Sequence, residues 1–73
     1  MFGMWAIKNK RTGQWLTGTD YKRCYPEGRC HQYTSNNKAL TYDSRKGAEN
    51  ALLKRKCGKD YKVVSVELKE ARR

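Results

Sequence analysis

The apolar and polar residues at the start of the chain alternate with the period of a β-strand. Within residues 4–9, Trp5 and Ile7 fall on one face of such a strand. Gly13 suits the left-handed position of a tight turn, and residues 14–17 then resume the extended pattern. The pattern therefore predicts a β-hairpin at the beginning of the chain.

The segment from residue 18 to residue 37 has a weaker pattern, because its few apolar residues are scattered among polar ones. Pro26-Glu27-Gly28 is typical of a turn. Its flanks, 20–25 and 29–35, are compatible with short strand extensions or with one long loop. Residues 39–42 then predict a short strand.

A helix is predicted over residues 45–57. Ser44, or Asp43 before it, can cap the first turn by accepting a hydrogen bond from an unpaired backbone amide. Basic residues near the end complement the helix dipole, and Gly58 is a natural terminator. The apolar stripe of this helix is narrow and consists of Ala48, Ala51 and Leu52.

The last element has the clearest strand pattern of the chain, over residues 60–68. The sequence thus predicts an α+β fold, a small antiparallel-rich β-sheet with one helix packed on one face, in the order β-β-(β)-β-α-β. Residues 1–73 form a single domain, with a core over about 4–68 and a frayed basic tail over 69–73. The sheet residues expected to oppose the helix are Trp5, Ile7, Val64 and Val66.

The net charge of the chain indicates what kind of partner it binds, which the predicted fold does not. Lys and Arg number 17 against 7 Asp and Glu, which gives a formal net charge of +10 in 73 residues. Solubility needs only about 2 to 8 charges in a small domain, and a larger excess repels itself in the folded state. A negatively charged partner is the usual reason for such an excess. A generic solvated basic surface is the alternative.

Catalytic chemistry has little support in the sequence. His31 is the only histidine and lies in a polar segment, and the carboxylates are isolated from one another. No glycine-rich phosphate loop and no nucleophile elbow occurs, and a chain this short has little room for a deep pocket beside a core. We therefore expect no enzymatic activity and no cofactor.

The three cysteines, Cys24, Cys30 and Cys57, are an odd number, and no export signal precedes them. Free thiols are the first expectation, and a Cys24–Cys30 disulfide is left open. A zinc site made from these cysteines and His31 would have poor spacing, because adjacent residues of a strand point in opposite directions. No metal site is therefore predicted.

Basic residues interleaved with aromatic ones are the strongest functional signal. Lysine and arginine contact phosphates, and exposed rings stack on bases or sugars. Tyr21, Tyr25 and Tyr33 have polar neighbours and are expected to be exposed, Trp5 and Tyr61 are expected in the core, and Trp15 fits either place. The candidate residues for a nucleic acid or an acidic partner are Lys8, Lys10, Arg11, Trp15, Tyr21, Lys22, Arg23, Tyr25, Arg29, Tyr33, Arg45, Lys46, Lys54 and Lys56. The helix lacks a single basic stripe, so the hairpin and the segment after it are favoured as the contact surface.

Two resemblances accompany these patterns. The stretches MWAIKNKRTGQWLTGTDY and ALTYDSRKGAENALLKR resemble the arm-type DNA-binding domain of phage integrases, in which a basic, aromatic three-stranded sheet precedes a helix. Ser44, Ala48 and Glu49 match the opening of that helix; residues 18–37 and the strand over 61–68 depart from the family pattern. The hairpin motif W-x-I-x-N-x-x-T-G is also similar to that of small basic proteins encoded by phages and prophages, which implies a phage accessory role.

The leading interpretation is a non-enzymatic protein that contacts DNA or RNA phosphates with limited base specificity. The alternative is a phage-encoded inhibitor that binds a host protein, such as a defence nuclease or a nucleoprotein complex, through its basic surface. A cytoplasmic location, in a bacterial host if the protein is phage-encoded, is expected. A membrane partner is not expected, because the helix has too small an apolar face. A small-molecule substrate is not expected either.

Overall fold

A computed structural model describes residues 3–67 and shows a five-stranded antiparallel sheet with one helix on one face. The predicted α+β class is confirmed. The predicted frayed tail, 69–73, lies outside the described residues. The elements in chain order are β1 (Gly3–Asn9), β2 (Trp15–Cys24), β3 (Cys30–Ser35), β4 (Thr41–Tyr42), α1 (Arg45–Lys54) and β5 (Tyr61–Glu67).

Strand β1 is the centre of the sheet. β5 pairs along all of it, from Gly3 opposite Glu67 to Asn9 opposite Tyr61. Two strands share the other edge of β1: β2 pairs with it near Lys8, and β4 pairs with it at Trp5 and Ala6. β2 pairs in turn with β3.

The predicted hairpin between β1 and β2 is confirmed, and its turn is held by local hydrogen bonds. The amide of Gly13 donates to the Asn9 carbonyl at 2.9 Å, with Gly13 at φ 75°. The Asn9 side chain accepts from the amides of Arg11 and Thr12 at 2.8 and 3.0 Å. Asparagine therefore satisfies turn amides that the strands cannot reach.

The segment 18–37 forms strand extensions rather than a long loop. β2 continues to Cys24, well beyond residue 17, and pairs with β3 as a two-stranded ribbon. Its register shifts between Leu16 and Gly18 and again between Asp20 and Cys24. The sequence pattern could not show this length, because the distal ribbon is exposed and has no apolar alternation.

The core lies between the sheet and α1. Ile7, Leu16 and Cys57 are fully buried. The partly buried residues around them are Tyr42, Ala51, Leu52, Tyr61 and Val63.

The expectation that Val64 and Val66 oppose the helix is wrong. Ile7 pairs with Val63 in the register, so Val63 shares the helix side with Ile7. Val64 and Val66 lie on the opposite face of the sheet. β5 carries valine on both faces, so alternation alone did not reveal which face was buried.

The helix begins as predicted and ends earlier. The Ser44 hydroxyl accepts from the amide of Gly47 at 3.0 Å, which confirms the cap. The last helical residue is Lys54 instead of Cys57.

A Schellman-type turn ends the helix. The amide of Lys56 donates to the Leu53 carbonyl and that of Cys57 to the Leu52 carbonyl. Lys56 occupies the left-handed position of this turn, at φ 54°. The residue that terminates the helix in this conformation is therefore Lys56 and not the predicted Gly58. This turn directs Cys57 into the core.

The cysteines are not all free thiols. Cys24 and Cys30 form a disulfide that closes the ribbon, and Cys57 is a buried free thiol. Burial raises the pKa of Cys57 to about 11. Within residues 3–67, no cluster of three or more histidine, cysteine or acidic side chains has the arrangement of a metal site. No helix in this part of the chain is long and apolar enough to cross a membrane.

Candidate nucleic-acid interface

The face of the sheet turned away from α1 carries a row of four side chains. The register places Trp15 opposite Ser35, Lys8 opposite Trp15, and Lys62 opposite Lys8. Directly opposed residues share a face, so the row crosses four neighbouring strands. We call the residues Ser35, Trp15, Lys8 and Lys62 the cross-sheet row.

Two lysines stand opposite each other in this row. Like charges at directly opposed positions destabilise a sheet. Lys8 is half-buried and Lys62 is exposed, and in the described part of the chain neither forms an ion pair. Lys8 Nζ lies 4.7 Å from the centre of the Trp15 ring, which partly compensates its charge. An anion lying between the two lysines would relieve the remaining repulsion.

The open face continues onto the ribbon at Tyr33. The Tyr33 ring is 47% exposed, and its hydroxyl donates to the Asp20 carboxylate at 3.1 Å. The His31 ring meets it edge to face at 5.2 Å between centroids. The pKa of Asp20 is lowered chiefly by the Lys22 amide, with further contributions from Tyr33 and Arg23. Asp20 thus anchors an exposed ring on the face that carries the cross-sheet row.

The end of the ribbon holds more of the predicted residues. Tyr21 is 56% exposed and Tyr25 is 41% exposed, so the expected exposure of all three of these tyrosines is confirmed. Lys22 is exposed nearby, whereas Arg23 pairs with Asp20 at 3.2 Å. The ribbon end therefore offers rings and a lysine beyond the open face.

The structure does not gather all the predicted residues into one site. Arg45 and Lys46 begin the helix, which is about 15 Å long, and Lys54 ends it. Arg45 pairs with Glu49 at 3.1 Å and lies 5.7 Å from the Trp5 ring on the helix side.

Four other predicted residues lie around the hairpin and the helix end. Lys10 and Arg11 are in the hairpin turn, where Arg11 pairs with Asp60 at 3.5 Å. Lys56 and Arg29 border a groove at the end of the helix.

Arginines and lysines have different roles in the described part of the chain. All four ion pairs there use an arginine: Arg11, Arg23, Arg29 and Arg45. Among the described residues, no carboxylate lies within ion-pair distance of a lysine. The positive charge available to a partner is therefore mostly lysine charge, which suits phosphate contacts that need no fixed geometry.

Lys62 and Ser35 belong to the row and were not among the predicted residues. Lys62 is a charged residue directly before the valine-rich part of β5, which was the available signal. Its alignment with Lys8 depends on the β1–β5 register, which a single sequence does not specify. The sequence allowed Trp15 either in the core or at the surface, and the structure places it half-buried on the open face.

Comparisons of the chain with family models, with curated proteins and with solved structures gave no match.

Proposed function

We propose that this protein is a non-enzymatic nucleic-acid-binding protein that uses the open face of its sheet. The observation that carries the proposal is the opposed pair Lys8 and Lys62 beside the Trp15 ring. Backbone pairing along the whole of β1 and β5 holds this repulsive pair in place, and phosphate is an anion that would relieve it.

The row also suggests how a nucleic acid would lie on the protein. Four neighbouring strands span about 14 Å, which accommodates a sugar-phosphate backbone crossing the sheet. Phosphates would contact Lys8 and Lys62, and bases or sugars would stack on Trp15 and Tyr33. The row contains no arginine, asparagine or glutamine, whose planar side chains recognise base edges through two hydrogen bonds, so we expect limited base specificity.

Fluorescence anisotropy with labelled duplex DNA, single-stranded DNA and RNA tests the proposal. The logarithm of the association constant should fall linearly with the logarithm of salt concentration, with a slope of about 0.9 per phosphate neutralised on a duplex. Lys8→Ala and Lys62→Ala should each lower that slope by about 1. Lys46→Ala is the matched control, because it removes the same charge from an exposed position on the helix.

Two results would contradict the proposal. The first is no binding to any of the three nucleic acids at about 50 mM salt, where phosphate contacts are strong. The second is an equal loss of slope in all three lysine variants. Binding would then depend on the total charge of the protein and not on the open face.

An acidic host protein is the second candidate partner. Met4, Val64 and Val66 are half-buried on the open face, where no element formed by residues 3–67 covers them. An apolar patch beside lysines suits an acidic protein as well as a nucleic acid. Capture from nuclease-treated bacterial lysate separates the two: a single retained protein supports the phage inhibitor, and loss of all partners supports nucleic acid.

The cytoplasmic location and the phage origin belong to this proposal too. The Cys24–Cys30 disulfide bears on the location, because disulfides rarely persist in a reducing cytosol. Acid-quenched alkylation of protein taken directly from cells measures which thiols are reduced there. A cytoplasmic protein should have both cysteines alkylated.

A further inference from the structure

A groove of about 590 Å³ lies on the helix side of the sheet, away from the cross-sheet row. It runs between the end of α1 and the turn that joins β2 to β3. We call it the helix-end groove. Its lining residues are Glu27, Gly28, Arg29, Leu52, Leu53, Lys56, Cys57, Gly58 and Lys59.

Arg29 forms one wall of the helix-end groove and is held from several sides. Its guanidinium stacks on the Tyr25 ring at 4.2 Å and pairs with Glu27 at 3.0 Å. Its aliphatic stem lies so close to Gly58 that a Cβ there would be 2.7 Å from Arg29 Cδ. Gly58 also has φ 83°, so two independent constraints favour glycine beside this arginine. Arg29 is therefore a fixed wall of the groove, and its charge is already paired with Glu27.

The floor of the groove is apolar. Leu53 is 76% exposed, and Leu52 and Cys57 continue the floor toward the core. Two further cations, Lys56 and Lys59, are exposed at the rim. An apolar floor inside a charged rim is the usual anatomy of a protein-binding surface.

The floor also distinguishes a protein from a nucleic acid as the occupant. Bases stack on aromatic rings, and the floor residues Leu52, Leu53 and Cys57 include none. The only carboxylate of the lining, Glu27, is already engaged by Arg29. The unpaired rim charge is therefore positive, which is complementary to an acidic segment.

We infer that the helix-end groove binds an acidic protein segment that inserts a bulky apolar side chain against Leu53. Its carboxylates contact Lys56 and Lys59, the rim cations that have no partner among the lining residues. This goes beyond nucleic-acid binding, because the open face and the groove lie on different sides of the sheet. With both surfaces occupied, the protein would connect a nucleic acid to an acidic protein.

Amide chemical shifts of the full-length, isotope-labelled protein test the inference. The probe is the synthetic peptide acetyl-DEDELFDEDE-amide, and the matched control acetyl-DEDESSDEDE-amide has the same charge without the apolar pair. A single-stranded oligonucleotide is the third ligand. Leu53→Ser removes the exposed apolar contact, and Asn50→Ser is a control at another exposed helix position.

The apolar peptide should shift the amides of Gly28, Gly58 and Lys59. It should bind about tenfold more tightly than its serine control, and Leu53→Ser should remove about the same factor. Asn50→Ser should leave the affinity unchanged.

Equal affinity for the two peptides, or an unchanged affinity in Leu53→Ser, would overturn the inference. So would displacement of the peptide from the Gly58 region by the oligonucleotide. The proposed nucleic-acid function is tested independently in the same experiment. It predicts that the oligonucleotide shifts the amides around Lys8 and Lys62, and it fails if those amides do not move.

Discussion

Gln32 connects the ribbon to the end of the helix, and its replacement by leucine tests how much this contact stabilises the fold. The side chain is buried, with 8% of its surface exposed. Its amide group donates to the carbonyls of Cys30 at 3.0 Å and Arg55 at 2.8 Å. Its oxygen accepts from the Thr19 hydroxyl at 2.6 Å.

The expected loss follows from the groups that Gln32→Leu leaves without partners. Leucine is close in size, so the change removes hydrogen bonds and opens little space. The carbonyls of Cys30 and Arg55 each lose a donor, and an unsatisfied buried polar group costs about 1–3 kcal/mol. Partial relaxation of the helix end reduces the sum, so we expect a loss of about 2–4 kcal/mol. A chain of this size has a total unfolding free energy of about 4–11 kcal/mol.

Urea unfolding followed by tryptophan fluorescence and circular dichroism measures this loss. Gln14→Leu is the control, because Gln14 also accepts a side-chain hydrogen bond, from Thr34 at 2.7 Å, but is only half-buried. It should cost less than about 1 kcal/mol, since water can replace the lost bond. A Gln32→Leu loss as small as that of the control would refute the reasoning.

A second substitution at position 32 should make the stability of the fold depend on pH. Gln32→Glu places a carboxylate beside the carbonyls at the helix end, where negative charge is unfavourable. A protonated carboxyl can donate to the Arg55 carbonyl, as the amide does. The variant should therefore recover stability as the pH falls through the range where glutamate is protonated. A loss that does not change with pH would mean that the Arg55 guanidinium, which donates to the Thr19 hydroxyl beside Gln32, compensates the new charge.

The remaining predictions concern Lys62, Lys56, Cys57 and the Cys24–Cys30 disulfide. Lys62→Thr should raise the unfolding free energy by about 0.5 kcal/mol, because it removes a like-charge pair, and it should weaken nucleic-acid binding; a loss of stability would contradict the repulsion. Lys56→Gly should stabilise by about 0.5–1 kcal/mol relative to Lys56→Ala, since φ 54° penalises any Cβ, and equal urea midpoints would contradict this. Cys57 should resist thiol reagents at about pH 8 until the protein unfolds. Because its pKa rises from 9.0 unfolded to about 11 folded, wild type should lose stability relative to Cys57→Ala as the pH rises through that interval. Reduction of the Cys24–Cys30 disulfide should lower the unfolding free energy by about 2 kcal/mol, because the loop that it closes is short. The same treatment should leave the unfolding free energy of Cys24→Ser unchanged.

Local signals in the sequence predicted the elements that depend on a few neighbouring residues. The first hairpin follows from alternation on both sides of Gly13, and the helix start follows from the Ser44 cap. The helix end was misplaced because its left-handed residue is Lys56, a residue type that rarely adopts this conformation. Tertiary contacts hold it there, since the Lys56 carbonyl accepts from the Cys30 amide at 2.9 Å.

The candidate site depended more on long-range pairing than the elements did. The aromatic and basic residues Lys8, Trp15 and Tyr33 could be selected by composition, because each stands in a polar or basic neighbourhood. Their placement on one face required the registers of two strand pairs, and that of Lys62 required a third. A shift by one residue would have moved Lys62 to the core side, so no local pattern could assign it.

The cross-sheet row links the stability of the sheet to its proposed use. β1 and β5 are paired with each other along their full lengths, and Lys8 and Lys62 lie within them, so the surrounding backbone fixes the lysine positions before any partner arrives. A preorganised pair of charges loses little entropy on binding, and relief of their repulsion adds to the affinity. A surface made only for solubility would gain nothing from placing two lysines opposite each other. Opposite effects of Lys62 on stability and on binding are therefore the property that separates a binding face from a merely solvated one.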